Sequence, residues 1–404
     1  MTSEWSLTAR WVLPVDAPPL EHAVVTIAGD RIVAVETHGT RTADHDLGNA
    51  AILPGLVNAH THLDLSGARG KTPPGEDFTN WLRVVIDYRQ SRTPQEIEAD
   101  ISDGVTQILR CGTTLVGDIA AEGLSWTRLA DSPLRSVVYY ELLGLTHDRA
   151  VAATGKAIPW MITKRGQATA RPGLSPHAPY SFNWLFLRGV AGVGKRIAIH
   201  LAEASAESEL LESQSGPFLR FLKERGVWDP EGLVASAQEV VQQTRSAKTA
   251  IYVHANYLAP DTVITERGTI VYCPRTHAAF GHPPHPFREF LTRGVRVALG
   301  TDSLASNPDL DVLAEARFVH AKHPDVVGDV LLRMLTLSGA EALGWADETG
   351  SLTSGKSADL VVLPLPNEEG RDPHDLVMES ALPVRGVLFR GKWTKDPSES
   401  ISPG

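Results

Sequence analysis

Apolar positions in the first fifty residues alternate with polar ones and are broken by turns. HAVVTIAGDRIVAVETHG predicts two strands, 23–28 and 31–36, joined by Gly29-Asp30. The last fifty residues have the same character, with SADLVVLPL and VRGVLFRGKW supplying strands among Gly, Pro and Ser turns. Neither end can bury a core alone. The two are therefore expected to associate into one small composite β-sandwich domain of residues 1–54 and 351–404.

Between them the rhythm changes. Short apolar runs alternate with helical patterning: AAILPGLVNAH, GTTLVGDIA, SVVYYELLGL, GLSPHAPYS, RIAIHLAE, AIYVHANYL, TIVYCPR and VRVALGTDS. ESELLESQSGPFLRFLKERG reads as helix after the fifth run and FREFLTRG before the eighth. Eight β-then-α units whose strands need cover on both faces predict an α/β fold, a (β/α)8 TIM-like barrel over residues 55–350.

Composition changes little in this picture. With 42% hydrophobic and 21% charged residues among 404, the chain has the make-up of a folded globular protein. A net charge of −10 and no basic run argue against a nucleic-acid partner and for a small-molecule substrate. Cys111 and Cys273 lie far apart in apolar context and are expected to be buried free thiols. The N-terminal MTSEWSLTARWVLPVD lacks a basic stretch followed by an apolar one, and no segment reaches the ~20 apolar residues of a membrane span. A cytoplasmic enzyme, without membrane attachment and able to form a homo-oligomer, is the expectation.

The chemistry concentrates where a barrel places it. In GLVNAHTHLDLSG, His60 and His62 are two apart at a strand end and so share a face, which suits metal ligation and equally suits a hydrogen-bonded pair. Barrel active sites sit at the carboxyl ends of the strands. Asp118 ends the second run, Glu141 lies in the third, His177 ends the fourth, His200 and Glu203 the fifth, His254 the sixth and Asp302 the eighth. His60, His62, His200 and Asp302 make a nitrogen and oxygen ligand set for one divalent ion, zinc or iron, with room for a water. Such a water ionises near neutral pH and becomes the nucleophile. Glu203 is placed to pass protons and His254 to polarise the hydroxide.

Plainer roles stand beside each of these. Asp302 suits a helix cap, Glu203 a solvated helix start and His177 a Pro-bounded loop. Asp118 and Glu141 suit structural hydrogen-bond acceptors. His277, His282 and His285 in CPRTHAAFGHPPHP suit either a pocket lining or a surface turn.

PGLVNAHTHLD, HLAE and GTDSLASN resemble the amidohydrolase superfamily, and the likeness covers nearly the whole chain. SPHAPYS is similar to the branch holding the nucleoside aminohydrolases and triazine chlorohydrolases. Binuclear members carry a carboxylated lysine at that strand end; SPHAPYS has none, so the resemblance implies one metal and deamination. It implies further that Glu203 protonates a ring nitrogen, hydroxide attacks the amidine carbon and Asp302 moves a proton toward departing ammonia. LDLSGARGKTPPGEDFTNWLRVVIDYR is similar to the first loop of the aminodeoxyfutalosine deaminases of menaquinone biosynthesis. Relatives acting on S-adenosylhomocysteine, methylthioadenosine or adenosine carry a glutamate before the tryptophan, where Asn80 precedes Trp81 here. The resemblance thus implies an adenine nucleoside substrate, 6-amino-6-deoxyfutalosine first, with those adenosine relatives or an amide or chlorotriazine hydrolase as alternatives. A metal-binding scaffold without activity is the non-enzymatic reading. Trp81, Arg83 and His177 are expected at the substrate, with Arg69, Arg83 and Arg89 as candidates to meet a substrate carboxylate.

Overall fold

The computed structural model describes residues 4–165, 167–190 and 194–398, so positions 1–3 and 399–404 of the expected composite domain lie outside the described residues. Eight strands form one sheet in chain order: Leu56–Thr61, Thr113–Ala121, Arg135–Leu142, Ala170–Pro176, Arg196–Leu201, Thr249–His254, Gly268–Tyr272 and Val297–Leu299. Registers from the third strand to the eighth are parallel. The ends meet where Thr61 bridges Asp302 and the Asp302 N–H donates to the His60 carbonyl at 3.0 Å. Gly300 permits that meeting, because a Cβ there would lie 2.9 Å from the His60 Cβ. The result is the (β/α)8 barrel.

The remaining strands form two sheets. One has six strands and mixes the two chain ends, with Ala50–Pro54 antiparallel to Leu360–Pro364. The other has four strands, all from the N-terminal segment, and includes the hairpin Val24–Ala28 with Arg31–Glu36. Leu7, Val25 and Ile27 of the second pack with Ile52, Leu360 and Val362 of the first, which is the sandwich core. By compactness the chain divides into Met1–Asn58, Thr106–Val116 and Asp311–Gly404 as one unit, and Ala59–Val105 with Gly117–Leu310 as the other. All the candidate site residues belong to the second.

Local departures from the sequence reading have local causes. The apolar run from Ala51 to Val57 is two strands, parted at Gly55, where a Cβ would come within 2.0 Å of Thr114 Oγ1. The long helix expected after the fifth strand is Ser205–Ser213 followed by Gly216–Glu224, broken where Gln214 and Gly216 take positive φ. Residues 255–267, after the sixth strand, hold no helix, so that β-then-α unit is incomplete. Cys273 is buried as expected, whereas Cys111 is only half-buried; both are free thiols. No helix among the described residues is long and apolar enough to cross a membrane.

Candidate active site

Each strand end delivers its side chain to one mouth of the barrel. His60 is the fifth residue of the first strand, and His62 follows that strand at the start of the short 3-10 turn Leu63–Ala68. His200 is the penultimate residue of the fifth strand and His254 the last of the sixth. Backbone strain marks the same places: Ala202, His254, Ala255 and Asp302 have φ of +50°, +67°, +55° and +51°. Non-glycine residues enter that region at a cost and persist where the surroundings hold them, as they do at functional sites.

His60, His62 and His200 offer nitrogens that lie within 4.8 Å of one another, and His60, His254 and Asp302 form a second such group. His62 Nε2 stands 3.0 Å from His200 Nε2. Asp302 Oδ1 lies 3.4 Å from His60 Nε2 and 3.8 Å from His62 Nε2. Among the described residues neither ring nitrogen of His60 has a hydrogen-bond partner, nor has Nδ1 of His62. His200 Nδ1 donates to the His177 carbonyl at 3.0 Å, which leaves its Nε2 lone pair facing the cluster. Burial pushes His62 and His200 well below the ordinary histidine value, with the neighbouring imidazoles adding to it, so both are neutral and free to donate lone pairs. Burial opposes ionisation of Asp302, yet the His60 imidazole 3.4 Å away and the other nearby imidazoles hold its carboxyl well below the usual range. Lone pairs converging on one buried point beside a carboxylate could hold a divalent cation. Ser306 donates to Asp302 Oδ2 at 2.9 Å and fixes which oxygen faces the histidines.

Glu203 completes the floor. Its Oε1 lies 3.3 Å from His254 Nε2, and both groups are buried. Burial, then the facing carboxyls of Asp302 and Glu207, push the Glu203 carboxyl well above its ordinary value. Burial likewise takes the His254 imidazole down to about 3. A carboxyl raised by burial thus stands in contact with a neutral imidazole, a pairing suited to proton transfer.

Above this floor lies a cavity of about 430 Å³. His62, His200, Glu203, His254 and Asp302 line its base, while Trp81, Leu82, Val85, Ile86, Phe221 and Leu222 form an apolar wall. The wall begins with the helix Phe78–Ser91, which Asp77 caps by accepting from the N–H groups of Thr79 and Asn80. Trp81 Nε1 donates to the Thr72 carbonyl at 2.9 Å and holds the ring inward.

Of the residues expected at the substrate, Trp81 and His177 line this cavity, and Arg83 does not. Its guanidinium pairs with Glu224 and accepts no place on the inner face, because residue 83 turns away from the face carrying 81, 82, 85 and 86. Arg69 is exposed and also absent from the lining. Arg89 lines the cavity, but its two ends lie 2.9 Å from Asp64 Oδ2 and 2.9 Å from Glu141 Oε2. Its single positive charge is already met by two carboxylates. Glu141 Oε1 in turn lies 2.9 Å from His177 Nδ1, so Asp64, Arg89, Glu141 and His177 form one chain with buried carboxyls and half-buried partners. Burial works against an ionised Glu141, yet Arg89 and His177 hold it well below its usual range.

Asp118 lies inside the second strand, short of its end, and accepts from the Leu63 N–H at 2.9 Å and from the Ser125 hydroxyl. The CPRTHAAFGHPPHP histidines neither line the cavity nor form a surface turn. His277 Nε2 lies 2.9 Å from the Pro283 carbonyl, His282 lies beside the Tyr257 hydroxyl, and His285 donates to the His254 carbonyl at 2.7 Å. Of the three, His285 braces the strained sixth strand end. Sequence reasoning overlooked Glu207, Ser306 and the wall from Phe221 and Leu222. Only the spacing of Glu207 after HLAE carried a readable signal.

Three imidazoles and a carboxylate gathered at the carboxyl mouth of a (β/α)8 barrel define a class, the barrel hydrolases. Residues 51–394 match the Amidohydrolase family, and the chain belongs to it. It is 28% identical over 419 residues to the 5-methylthioadenosine/S-adenosylhomocysteine deaminase of Moorella thermoacetica, covering 94% of this chain and 91% of that one. It is 27% identical over 350 residues to the aminodeoxyfutalosine deaminase of Nitratiruptor sp., covering 82% and 83%. The crystal structure of an adenosine deaminase from Xanthomonas campestris with bound zinc has a TM-score of 0.79 at 23% identity, covering 99% of this chain and 94% of that one, and shares the fold.

Proposed function

We propose that the chain is a cytoplasmic, metal-dependent aminohydrolase that deaminates the adenine ring of a nucleoside, with 6-amino-6-deoxyfutalosine of menaquinone biosynthesis as its substrate. The observation that carries this is the contact of Glu203 with His254, 3.3 Å apart beside Asp302 on the floor of a cavity with an apolar wall. His60, His62, His200 and Asp302 would hold one divalent ion, zinc before iron. Such an ion supplies Lewis acidity and an activated water at neutral pH. Glu203, whose carboxyl burial pushes well above its ordinary value, is the group that donates a proton to a ring nitrogen of the adenine, which makes the amino-bearing carbon electrophilic. His254, neutral, orients the attacking water through Nε2; Asp302 takes one proton from that water and passes it to the leaving amine, and the water's other proton restores Glu203. Water replaces the amino group, and ammonia departs.

The substrate rests on two supports. Relatives named for adenine nucleosides with altered 5′ ends match most of the chain. The first loop resembles that of the aminodeoxyfutalosine deaminases, and Asn80 is exposed with its amide oxygen on Arg83, so position 80 offers no carboxylate to a ribose diol. The match to the Moorella enzyme over 94% of the chain favours methylthioadenosine or S-adenosylhomocysteine as the second reading. Ammonia release from these nucleosides by one zinc-loaded preparation separates the two. The expected outcome is a kcat/KM for aminodeoxyfutalosine at least ~10-fold above that for methylthioadenosine or adenosine, about 1.4 kcal/mol of differential transition-state binding. Equal or reversed efficiencies remove the menaquinone assignment and leave the deaminase.

A further inference from the structure

Glu207 is a fully buried carboxyl that is not part of the cavity lining described above, and the reaction proposed above does not use it. It is the third residue of the helix Ser205–Ser213, whose cap is Ala204. A glutamate at that position ordinarily bonds back to the cap residue's own N–H. This one reaches further. Oε1 accepts from the Ala202 N–H at 2.7 Å and Oε2 from the Glu203 N–H at 3.1 Å. Ala202 holds its left-handed φ of +50° between these bonds and the fifth strand. On the other side of Glu203, Asn256 Nδ2 donates to its carbonyl at 2.9 Å. The peptide groups flanking Glu203 are thus gripped from two elements that both follow it in the chain, the helix Ser205–Ser213 and the segment after the sixth strand.

We infer that Glu207 and Asn256 are positioning residues that clamp the backbone of Glu203, and so hold its carboxyl against His254. The inference rests on Glu203 being the proton carrier. A bidentate carboxylate is needed because two N–H groups aim at one buried point, and a neutral acceptor there satisfies only one of them. Displacement of a reacting group by about 1 Å costs on the order of 10²-fold in rate, which is the scale on which such a clamp acts.

Glu207→Gln and Asn256→Ala, each alone and each combined with Glu203→Gln, test this through ammonia release, bound-metal content and melting temperature. In the single variants kcat is expected to fall ~10- to 100-fold with KM within about threefold and metal content unchanged. In the Glu203→Gln background neither substitution should lower kcat further, since the clamp acts only through that carboxyl. A folded Glu207→Gln enzyme with wild-type kcat overturns the inference, as does an equal loss with and without the Glu203 carboxyl. If Glu207→Gln fails to fold, Asn256→Ala carries the same two readings. Full activity in Glu203→Gln alone is a different result: it removes the proton-carrier role itself.

Discussion

The floor and the wall of the cavity are built on different principles. The floor hangs on strand ends: His60, His62, His200, His254 and Asp302 are each 5% exposed or less, and four nearby backbone positions sit in a conformation L-residues avoid. The wall comes from helix faces, where Leu82 and Ile86 are packed by spacing alone and the backbone is relaxed. Strain and buried polarity are thus confined to where bonds are to change. The difference shows that this barrel keeps its chemistry on an over-determined frame and leaves recognition to elements that can vary without disturbing it.

The comparison breaks most visibly at the floor. His60→Ala or Asp302→Ala should lose both metal and activity, with turnover down at least ~10³-fold, about 4 kcal/mol. Elemental analysis and ammonia release on the same sample, with native-like circular dichroism, check this. A metal-free variant with normal turnover would defeat the ligand assignment. Glu203→Gln should keep the metal and still lose ~10²- to 10⁴-fold in kcat, because an amide fills the volume without carrying a proton. More than a tenth of the wild-type rate would mark Glu203 as a helix-start carboxylate only.

Arg89 ties wall to floor, since it leaves the wall helix and ends on Glu141, the partner of His177. Arg89→Met leaves Asp64 and Glu141 buried without a cation and should cost about 3 kcal/mol of stability by denaturant unfolding at pH 8. The sign of its pH dependence follows. Glu141 is held below its unfolded value in the wild type, so its contribution is present above about pH 4.5 and fades as pH falls through the folded value. In the variant Glu141 rises instead, and Asp64, which burial already raises to about 6, rises further, so their penalty grows with pH. The stability gap should therefore be wider at pH 8 than at pH 5. A gap that narrows as pH rises would show that Arg89 is not what holds Glu141 ionised.

The same division explains what the sequence disclosed. The floor was readable because each ligand sits within two residues of an apolar run, and the strand period of two fixes which side chains share a face, as for His60 and His62. The broken helix after Ser213 and the missing helix after His254 were not readable, because φ at Gln214 and the route of 255–267 answer to tertiary packing. The arginines were misjudged for a related reason. Arg69, Arg83 and Arg89 lie close together in the chain, but a helix sends 83 outward and 89 into Asp64 and Glu141. Proximity in sequence to His62 says nothing about that rotation.

Arg83→Ala is the smallest change and the sharpest test of that last point. Arg83 pairs with Glu224, which is 59% exposed, and its guanidinium lies 5.1 Å from the ring centre of Phe221, whose other side lines the cavity. An exposed ion pair contributes little, and the guanidinium-ring contact adds a comparable amount, so ~1 kcal/mol of stability is the expected ceiling for both together. If recognition belongs to the inner face of the wall, Arg83→Ala leaves kcat unchanged and shifts KM for aminodeoxyfutalosine by less than about threefold, through Phe221 alone. Trp81→Ala, on the inner face of the same helix, should raise KM by ten times or more under the same conditions, because ~1.4 kcal/mol is a modest share of what a buried indole contributes. A loss of kcat/KM in Arg83→Ala that matches Trp81→Ala would place the guanidinium on the substrate after all, and the division between outer and inner face of this helix would fail.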